Sequence, residues 1–218
     1  AEAGITVIDP SVSGKSIPQL GNESISDMAE DYYFPSAAIK VQATDKISLG
    51  LIYDQPYGAD SIYPTNNVSF SQVNPLSTQR ESTQVEVKTN NLTALIGYQP
   101  TENWNFYAGP VWQTVEAKIA LRGAAYGNSG YDIKLDEEEA WGWLAGFAYQ
   151  IPEIALKAAI TYRSEIDHEA NSTESFGFGT IASPLSPDVT ATTPQSVNLD
   201  LQTGIAANTL AFANVRWV

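Results

Sequence analysis

Along most of this chain, apolar and polar side chains alternate with a period of two, the spacing of a β-strand whose two faces meet different surroundings. The clearest case is Trp141 to Glu165, WGWLAGFAYQIPEIALKAAITYRSE. Trp141, Trp143, Ala145, Phe147, Tyr149 and Ile151 share one parity. After a turn at Pro152 and Glu153, Ile154, Leu156, Ala158, Ile160 and Tyr162 fall on one side, and Lys157, Thr161, Arg163 and Glu165 on the other. Each arm has the length, about ten residues, and the terminal aromatics of a tilted strand crossing a hydrocarbon layer. The pattern predicts a hairpin of a transmembrane β-barrel.

The same alternation marks further strands. Ala3 to Asp9 is a short strand, and the polar residues 10 to 31 read as an exposed loop. The aromatic cluster Tyr32, Tyr33 and Phe34 suits either a membrane-interface girdle or ordinary core. Ala37, Ile39, Val41 and Ala43, then a turn at Thr44-Asp45-Lys46, then Ile47, Leu49, Leu51 and Tyr53, make a second hairpin. There the alternation fails at Asp54-Gln55-Pro56-Tyr57-Gly58. Proline donates no ladder hydrogen bond and glycine favours a bulge, so the wall is expected to be interrupted at this point.

Residues 59 to 80 read as a long polar loop. From Ser82 to Gln99 the apolar parity shifts near Asn90-Asn91, which implies a bulge or a part projecting beyond the bilayer. A turn at Pro100 to Asn103 leads to a strand running from Trp104 to Arg122, and Gly123 to Gly130 is a small-residue loop. Ile166 to Ser175 reads as a polar stretch, and 176 to 195 as a loop rich in Gly, Ser, Pro and Thr. Two last strands follow, around Val197 to Leu201 and from Thr209 to Val218. The tally is roughly nine or ten strands, short turns alternating with long loops, and no convincing helix. The expected fold is an all-β antiparallel transmembrane β-barrel, one domain over residues 1–218, that stops in mid-strand at Trp217-Val218 without a sign of closing.

Composition narrows the function. A formal charge of -14 argues against nucleic acid as a partner, because an acidic surface repels phosphate. Zero cysteines leave no disulfide framework, thiolate chemistry or sulfur metal site. No apolar run approaches the length of a membrane-spanning helix. A mean hydropathy of -0.18 fits a barrel, which shows lipid only every second side chain. Asp136 to Glu139 point alternately to opposite faces of a strand and so do not converge on a cation. His168, the single histidine, lies in a segment expected to be exposed, which excludes a multi-histidine zinc site. No nucleotide-binding or nucleophile motif occurs. No metal, cofactor or enzymatic reaction is expected. Asn67-Val-Ser and Asn171-Ser-Thr match the glycosylation acceptor pattern and are taken as chance.

Several segments, in order, resemble the FadL-type outer-membrane transporters of long-chain fatty acids and other hydrophobic compounds. They are AGITVIDPSVSG, YYFPSAAIKVQATDKISLGLIYDQPYG, LTALIGYQPTENWNFYAGP with AKIALRG, WGWLAGFAYQ with ALKAAITYRSE, and SVNLDL. The resemblance implies a barrel of about fourteen strands with an N-terminal plug. This chain resembles an internal portion of it, lacking the plug and the last strands. It further implies integral placement in a bacterial outer membrane, contact with its lipid and lipopolysaccharide, a monomeric barrel, and passive admission of a hydrophobic small molecule such as a fatty acid.

Family members carry an inward kink in the third strand that opens the wall sideways, and Pro56, Tyr57 and Gly58 match that kink. Lys118 and Arg122 match loosely the basic side chains near the ligand. Lys157 and Arg163, on the lumen parity, would either meet a ligand carboxylate or pair with Glu165 and acidic neighbours. Two other readings are a structural barrel or adhesin acting through its loops, and a soluble secreted β-sandwich that binds carbohydrate through its aromatics.

Overall fold

The computed structural model describes residues 1–182, 188–206 and 208–218, so 183–187, within the expected loop 176–195, lie outside the described residues. The strands are β1 (Glu2–Ile8), β2 (Gly14–Lys15), β3 (Ser24–Ile25), β4 (Tyr32–Gln42), β5 (Ile47–Asp54), β6 (Gly58–Ile62), β7 (Ser71–Val73), β8 (Arg80–Ser82) and β9 (Gln84–Tyr98). After them come β10 (Trp104–Leu121), β11 (Tyr131–Ile151), β12 (Leu156–Arg163), β13 (Ile166–Phe176), β14 (Ile181–Ala182), β15 (Asp188–Thr193), β16 (Ser196–Ala206) and β17 (Thr209–Trp217). Nine of them form one antiparallel wall in the order β1-β4-β5-β9-β10-β11-β12-β16-β17, curled into a half-barrel. Short turns close one rim, and the long segments lie at the other.

Register explains why the two faces of this wall differ. One line of cross-strand partners runs Val41, Leu49, Ile96, Ala108, Ala145, Tyr162, Val197, Trp217. Its large members point outward and stay exposed, Val41 at 54% and Trp217 at 63%. The adjacent line runs Gln42, Ser48, Gly97, Tyr107, Gly146, Thr161, Asn198, Arg216 and points inward. A one-residue step thus exchanges an apolar surface for a polar one in every strand, and this fixes the register. Gly146 is required on the inner line: a Cβ there would meet the Tyr107 ring at 2.7 Å. The Tyr107 hydroxyl lies 2.7 Å from Thr161 Oγ1.

The outer apolar band is bounded by aromatics. Near the short turns Trp104 packs against Phe106 and Tyr149, and Phe106 against Phe147. At the other edge Trp112 faces Trp141 across the ladder, and Trp143 packs on Tyr162. From Trp104 to Trp112 the strand rises about 27 Å, a span that accommodates a tilted strand crossing a hydrocarbon layer. Beyond Trp112 and Trp141 the outward residues become charged: Glu86, Lys88, Glu116, Lys118, Lys134.

Past that level the apolar side chains turn inward. The β9–β10 register runs through Asn90-Asn91 without a bulge, so the parity shift there marks a strand leaving the bilayer. The bulge lies in β11 instead, opposite Val115 and Ala117. It brings Leu135 onto the inner face, into a cluster with Ala117 and Ala170 that Val87, Ile133, Val189 and Ala191 cover.

Three expectations about the outer segments require correction. Ile166 to Ser175 is the strand β13, and its alternate residues Ile166, His168, Ala170 and Ser172 are buried. His168 is fully buried, not exposed, because the strand folds inward onto β10 and β11. Residues 10–31 and 59–80 are also more than solvated loop. Ser61 and Ile62 reach Met28, the Asn67 side chain donates to the Ser24 carbonyl, and Ser69 donates to that of Leu20.

The wall loses its ladder in two places. β4 pairs with β5 only from Ala37↔Tyr53 to Gln42↔Ser48. Farther out, Tyr32 to Ser36 pair with β1 alone, until the single bridge Ala29↔Ser61 restores contact with β6. The second break lies between β11 and β13. They pair from Asp132↔Ser175 to Leu135↔Ser172, and Ser164 donates to the Trp143 carbonyl at 3.0 Å. Between these points β13 pairs with β15 instead.

Candidate functional site: the interruption between β5 and β6

Both β5 and β6 pair with β9, Asp54 opposite Asn91 and Gly58 opposite Lys88. From 54 to 58 is four steps against three from 91 to 88, so the chain carries one extra residue here. Pro56 brings no donor to the ladder, and Tyr57 is held at the backbone by Thr89. The Tyr57 amide donates to Thr89 Oγ1 at 3.1 Å, and the Thr89 hydroxyl approaches the Tyr57 carbonyl at 2.6 Å. Gln55 turns to the outer side and donates to Asn90 Oδ1 at 2.8 Å.

Tyr57 reaches inward instead. Its hydroxyl donates to the Pro194 carbonyl at 3.0 Å, and its ring centroid lies 5.9 Å from the Arg216 guanidinium carbon. Three residues earlier in the chain, Asp54 Oδ2 is 3.4 Å from Arg163 Nη2, a contact from β5 to β12 across the lumen. Nearby, Gln113 donates to Asn91 at 2.7 Å and accepts from the Thr193 hydroxyl at 2.7 Å.

These links divide the interior. Below them a cavity of ≈ 880 Å³ is lined by inward residues such as Ser48, Gly97, Tyr107, Lys157, Ala159 and Arg163. Above them a cavity of ≈ 1020 Å³ opens at the break between β4 and β6, lined by Tyr32, Phe34, Pro35, Asp54, Pro56 and Tyr57. Between the two lies a throat of only ≈ 10 Å³, with Tyr57, Gln113, Arg163, Thr193, Pro194 and Arg216 on its walls.

The structure thus brings Pro56, Tyr57, Gly58 and Arg163 to one place and sets the other candidates apart. Lys157 lies in the lower cavity. Lys118 is on the outer face, 3.8 Å from Glu86. That carboxyl is held below its usual pKa range, first by the hydrogen bond from Lys88. Arg122 is buried among the outer loops, with 3.1 Å to Glu81, 2.7 Å to Asp132 and 2.8 Å to the Tyr131 carbonyl, and it stacks on Phe178. Beside it, Gly123 at φ +93° could carry no Cβ, which would fall 2.5 Å from the Ser69 carbonyl oxygen.

Two residues of the throat were not anticipated as site residues. Arg216 stands between Val215 and Trp217, both outward, so its parity alone points it to the lumen. Asp54, the last residue of β5, carries no such signal, because its partner Arg163 comes from four strands away in the wall.

Across residues 1–214 the chain matches the family model described as outer membrane protein transport protein (OMPP1/FadL/TodX). The chain belongs to the FadL/TodX family. Among solved structures it is similar to a Pseudomonas aeruginosa FadL homologue, with a TM-score of 0.63 and 14% identity over 99% of this chain and 58% of that one. The Ralstonia pickettii toluene transporter TbuX matches with a TM-score of 0.61 and 14% identity, over 98% of this chain and 59% of that one. The Pseudomonas putida toluene transporter TodX gives 0.59 and 15%, over 99% and 58%. A sequence comparison with curated proteins found no match. At such identities the likeness to the solved structures is one of fold. The chain spans a little under three fifths of those FadL-type barrels. As a member of a family of outer-membrane transport proteins, it is a β-barrel protein of the outer membrane rather than an enzyme.

Proposed function

We propose that the whole protein passively admits a hydrophobic small molecule, a long-chain fatty acid or similar amphipath, and releases it sideways through the break between β4 and β6. The observation that carries this reading is the framed gap itself. Its lower edge is the pair Ala37↔Tyr53, its upper edge is the bridge Ala29↔Ser61, and a cavity of ≈ 1020 Å³ opens between them. An unpaired strand edge at membrane depth is tolerated only where it lines a cavity or is covered by protein. Pro35 and Pro56, one on each side of the gap, each remove a donor that would otherwise need a partner. A path from the lumen to this gap lets an apolar chain descend its gradient without entering water.

Arg163, with Arg216 beside it, suits an anionic headgroup in the throat, since a guanidinium fork matches a carboxylate. Lys157 offers a second cation in the lower cavity. Lys118 and Arg122 serve the outer wall and loops on this reading, where Lys118 meets lipopolysaccharide phosphates. The barrel acts as a single domain and as a monomer.

The test is to replace Pro56 and Gly58 together with valine, which restores strand-forming residues at the gap. Loss of radiolabelled oleate uptake, with the barrel still inserted and heat-modifiable on gels, is the expected result. Undiminished oleate uptake sinks lateral exit. If the unmodified protein takes up toluene but not oleate, the cargo is a neutral hydrocarbon. If it takes up neither, the adhesin or structural-barrel reading gains.

A further inference from the structure

The throat is narrow, and the ion pair beside it is poorly made. Asp54 and Arg163 meet through one oxygen and one nitrogen at 3.4 Å, whereas a guanidinium and a carboxylate can form two parallel hydrogen bonds. The other two atoms, Asp54 Oδ1 and Arg163 Nη1, are buried and have no partner among the described residues. A throat of ≈ 10 Å³ has room for one water at most. The pair is therefore unlike Arg122, which is surrounded by carboxylates and carbonyls on the nitrogens that face the protein. A strut is built as Arg122 is built. An ion pair with a donor and an acceptor left over is one that a better partner can displace.

Position adds to this. Arg163 lines both the lower cavity and the throat, while Asp54 lines the cavity at the gap. The link between them crosses the route from one to the other. Tyr57 stands beside it, tied to Pro194 through its hydroxyl and to Arg216 through its ring. Both ties are single contacts at the end of a side chain that rotamer change can release.

We infer that Asp54 and Tyr57 form a gate, with Asp54 acting as a resident counter-ion that an entering carboxylate displaces from Arg163. The inference rests on the proposed path from lumen to gap. With no ligand, Asp54 neutralises Arg163 and the throat stays closed to small solutes. A carboxylate arriving from the lower cavity takes the guanidinium as a fork, Asp54 is released toward the gap, and Tyr57 swings with it. Arg216, which lines both the throat and the cavity at the gap, receives the released carboxylate. Asp54 leaves Arg163 only as the entering carboxylate takes its place, so Arg163 keeps an anionic partner throughout.

The test uses the whole protein in proteoliposomes and reads arabinose-driven swelling beside oleate uptake. Asp54→Asn keeps the size of the side chain and removes the competing charge, and Tyr57→Phe removes only the tie to Pro194. The gate expects Asp54→Asn to raise arabinose permeation by about tenfold, the shift that losing one charge-assisted contact produces in a two-state equilibrium. Oleate is expected to raise arabinose permeation through the unmodified protein and to add nothing in that variant, which has no resident carboxylate left to displace. Tyr57→Phe is expected to leak less than Asp54→Asn. Arg163→Gln is expected to leak whether or not oleate is present. If both Asp54→Asn and Tyr57→Phe remain as tight as the unmodified protein while oleate uptake persists, the gate is wrong and the transport reading stands. If Asp54→Asn leaks but oleate is never taken up, the closure is confirmed and the fatty-acid reading falls.

Discussion

The gap between β4 and β6 and the seam between β11 and β13 are breaks in the same wall, each framed by paired residues below and above, yet they are treated in opposite ways. At the seam, β13 turns its apolar parity inward: Ile166 packs on Val111 and Leu144, and Ala170 on Ala117 and Leu135. Gly142 makes the approach possible, since a Cβ there would fall 2.6 Å from Ile166. At the gap, the facing edges carry Tyr32, Phe34 and Pro35 against Gln55, Pro56 and Tyr57, and among the described residues a cavity is left between them. A missing ladder is therefore not in itself an opening. It becomes one where the neighbouring strand supplies no alternate row of small apolar side chains to lay across the break, and where proline lowers the number of donors left bare.

The comparison can be broken most forcefully at the seam. Ala170→Asp buries a carboxylate among Ala117, Leu135, Val87 and Val189, and is expected to cost about 3–5 kcal/mol. The matching change at the gap, Ser36→Asp, faces the open cavity and is expected to stay within about 0.5 kcal/mol. Urea unfolding followed by tryptophan fluorescence measures both. Equal losses at the two sites would mean that the gap is packed in the membrane as the seam is.

A smaller effect tests the frame. The chain has no cysteine, so Ala29→Cys with Ser61→Cys creates a single defined pair at the upper edge of the gap. Bridged partners in an antiparallel ladder lie within disulfide reach, so oxidation is expected to be complete. Oleate uptake is expected to stay within about twofold if this edge is a fixed lintel, since a cross-link can shift only an equilibrium that the edge takes part in. A large loss would make the edge a moving part.

The smallest effect concerns pH at the outer end of the gap. Asp31 lies close to Asp9, and repulsion between the two raises the Asp31 pKa above the ordinary carboxylate value. The folded pKa exceeds the unfolded one, so the penalty is fully present above the folded value and is relieved as pH falls toward the unfolded value. Asp31→Asn is expected to raise the thermal midpoint slightly at neutral pH and to lose that advantage in acid. A constant difference across the titration would remove the repulsion from the account.

Much of the wall was legible in the sequence because alternation is a local signal. Val41, Leu49, Ile96 and Trp217 announce the lipid face one strand at a time, and the turns at Thr44, Pro100 and Pro152 set where each strand reverses. The break at Pro56 to Gly58 was visible for the same reason: a proline and a glycine interrupt a pattern that neighbours on both sides obey. β13 was missed because its inward row includes His168 and Ser172, which look polar in sequence and are buried only because the strand folds inward onto β10 and β11. Arg122 was placed among ligand candidates on a loose match to the family's basic side chains. Its partners, Glu81 and Asp132, come from β8 and β11, and no spacing rule joins them.

The sequence by itself determined that the chain is a lipid-facing wall of antiparallel strands, which side of each strand meets the membrane, and where one of its two breaks falls. Those properties depend on residues two positions apart, and backbone geometry fixes their relation before any folding. Only the tertiary structure decided that Asp54 meets Arg163, that Tyr57 reaches Pro194 and Arg216, and that one break is filled while the other is left as a cavity. Such pairings depend on how tightly the sheet curls. Curl is the sum of twist over nine strands and is written in no single stretch of the chain.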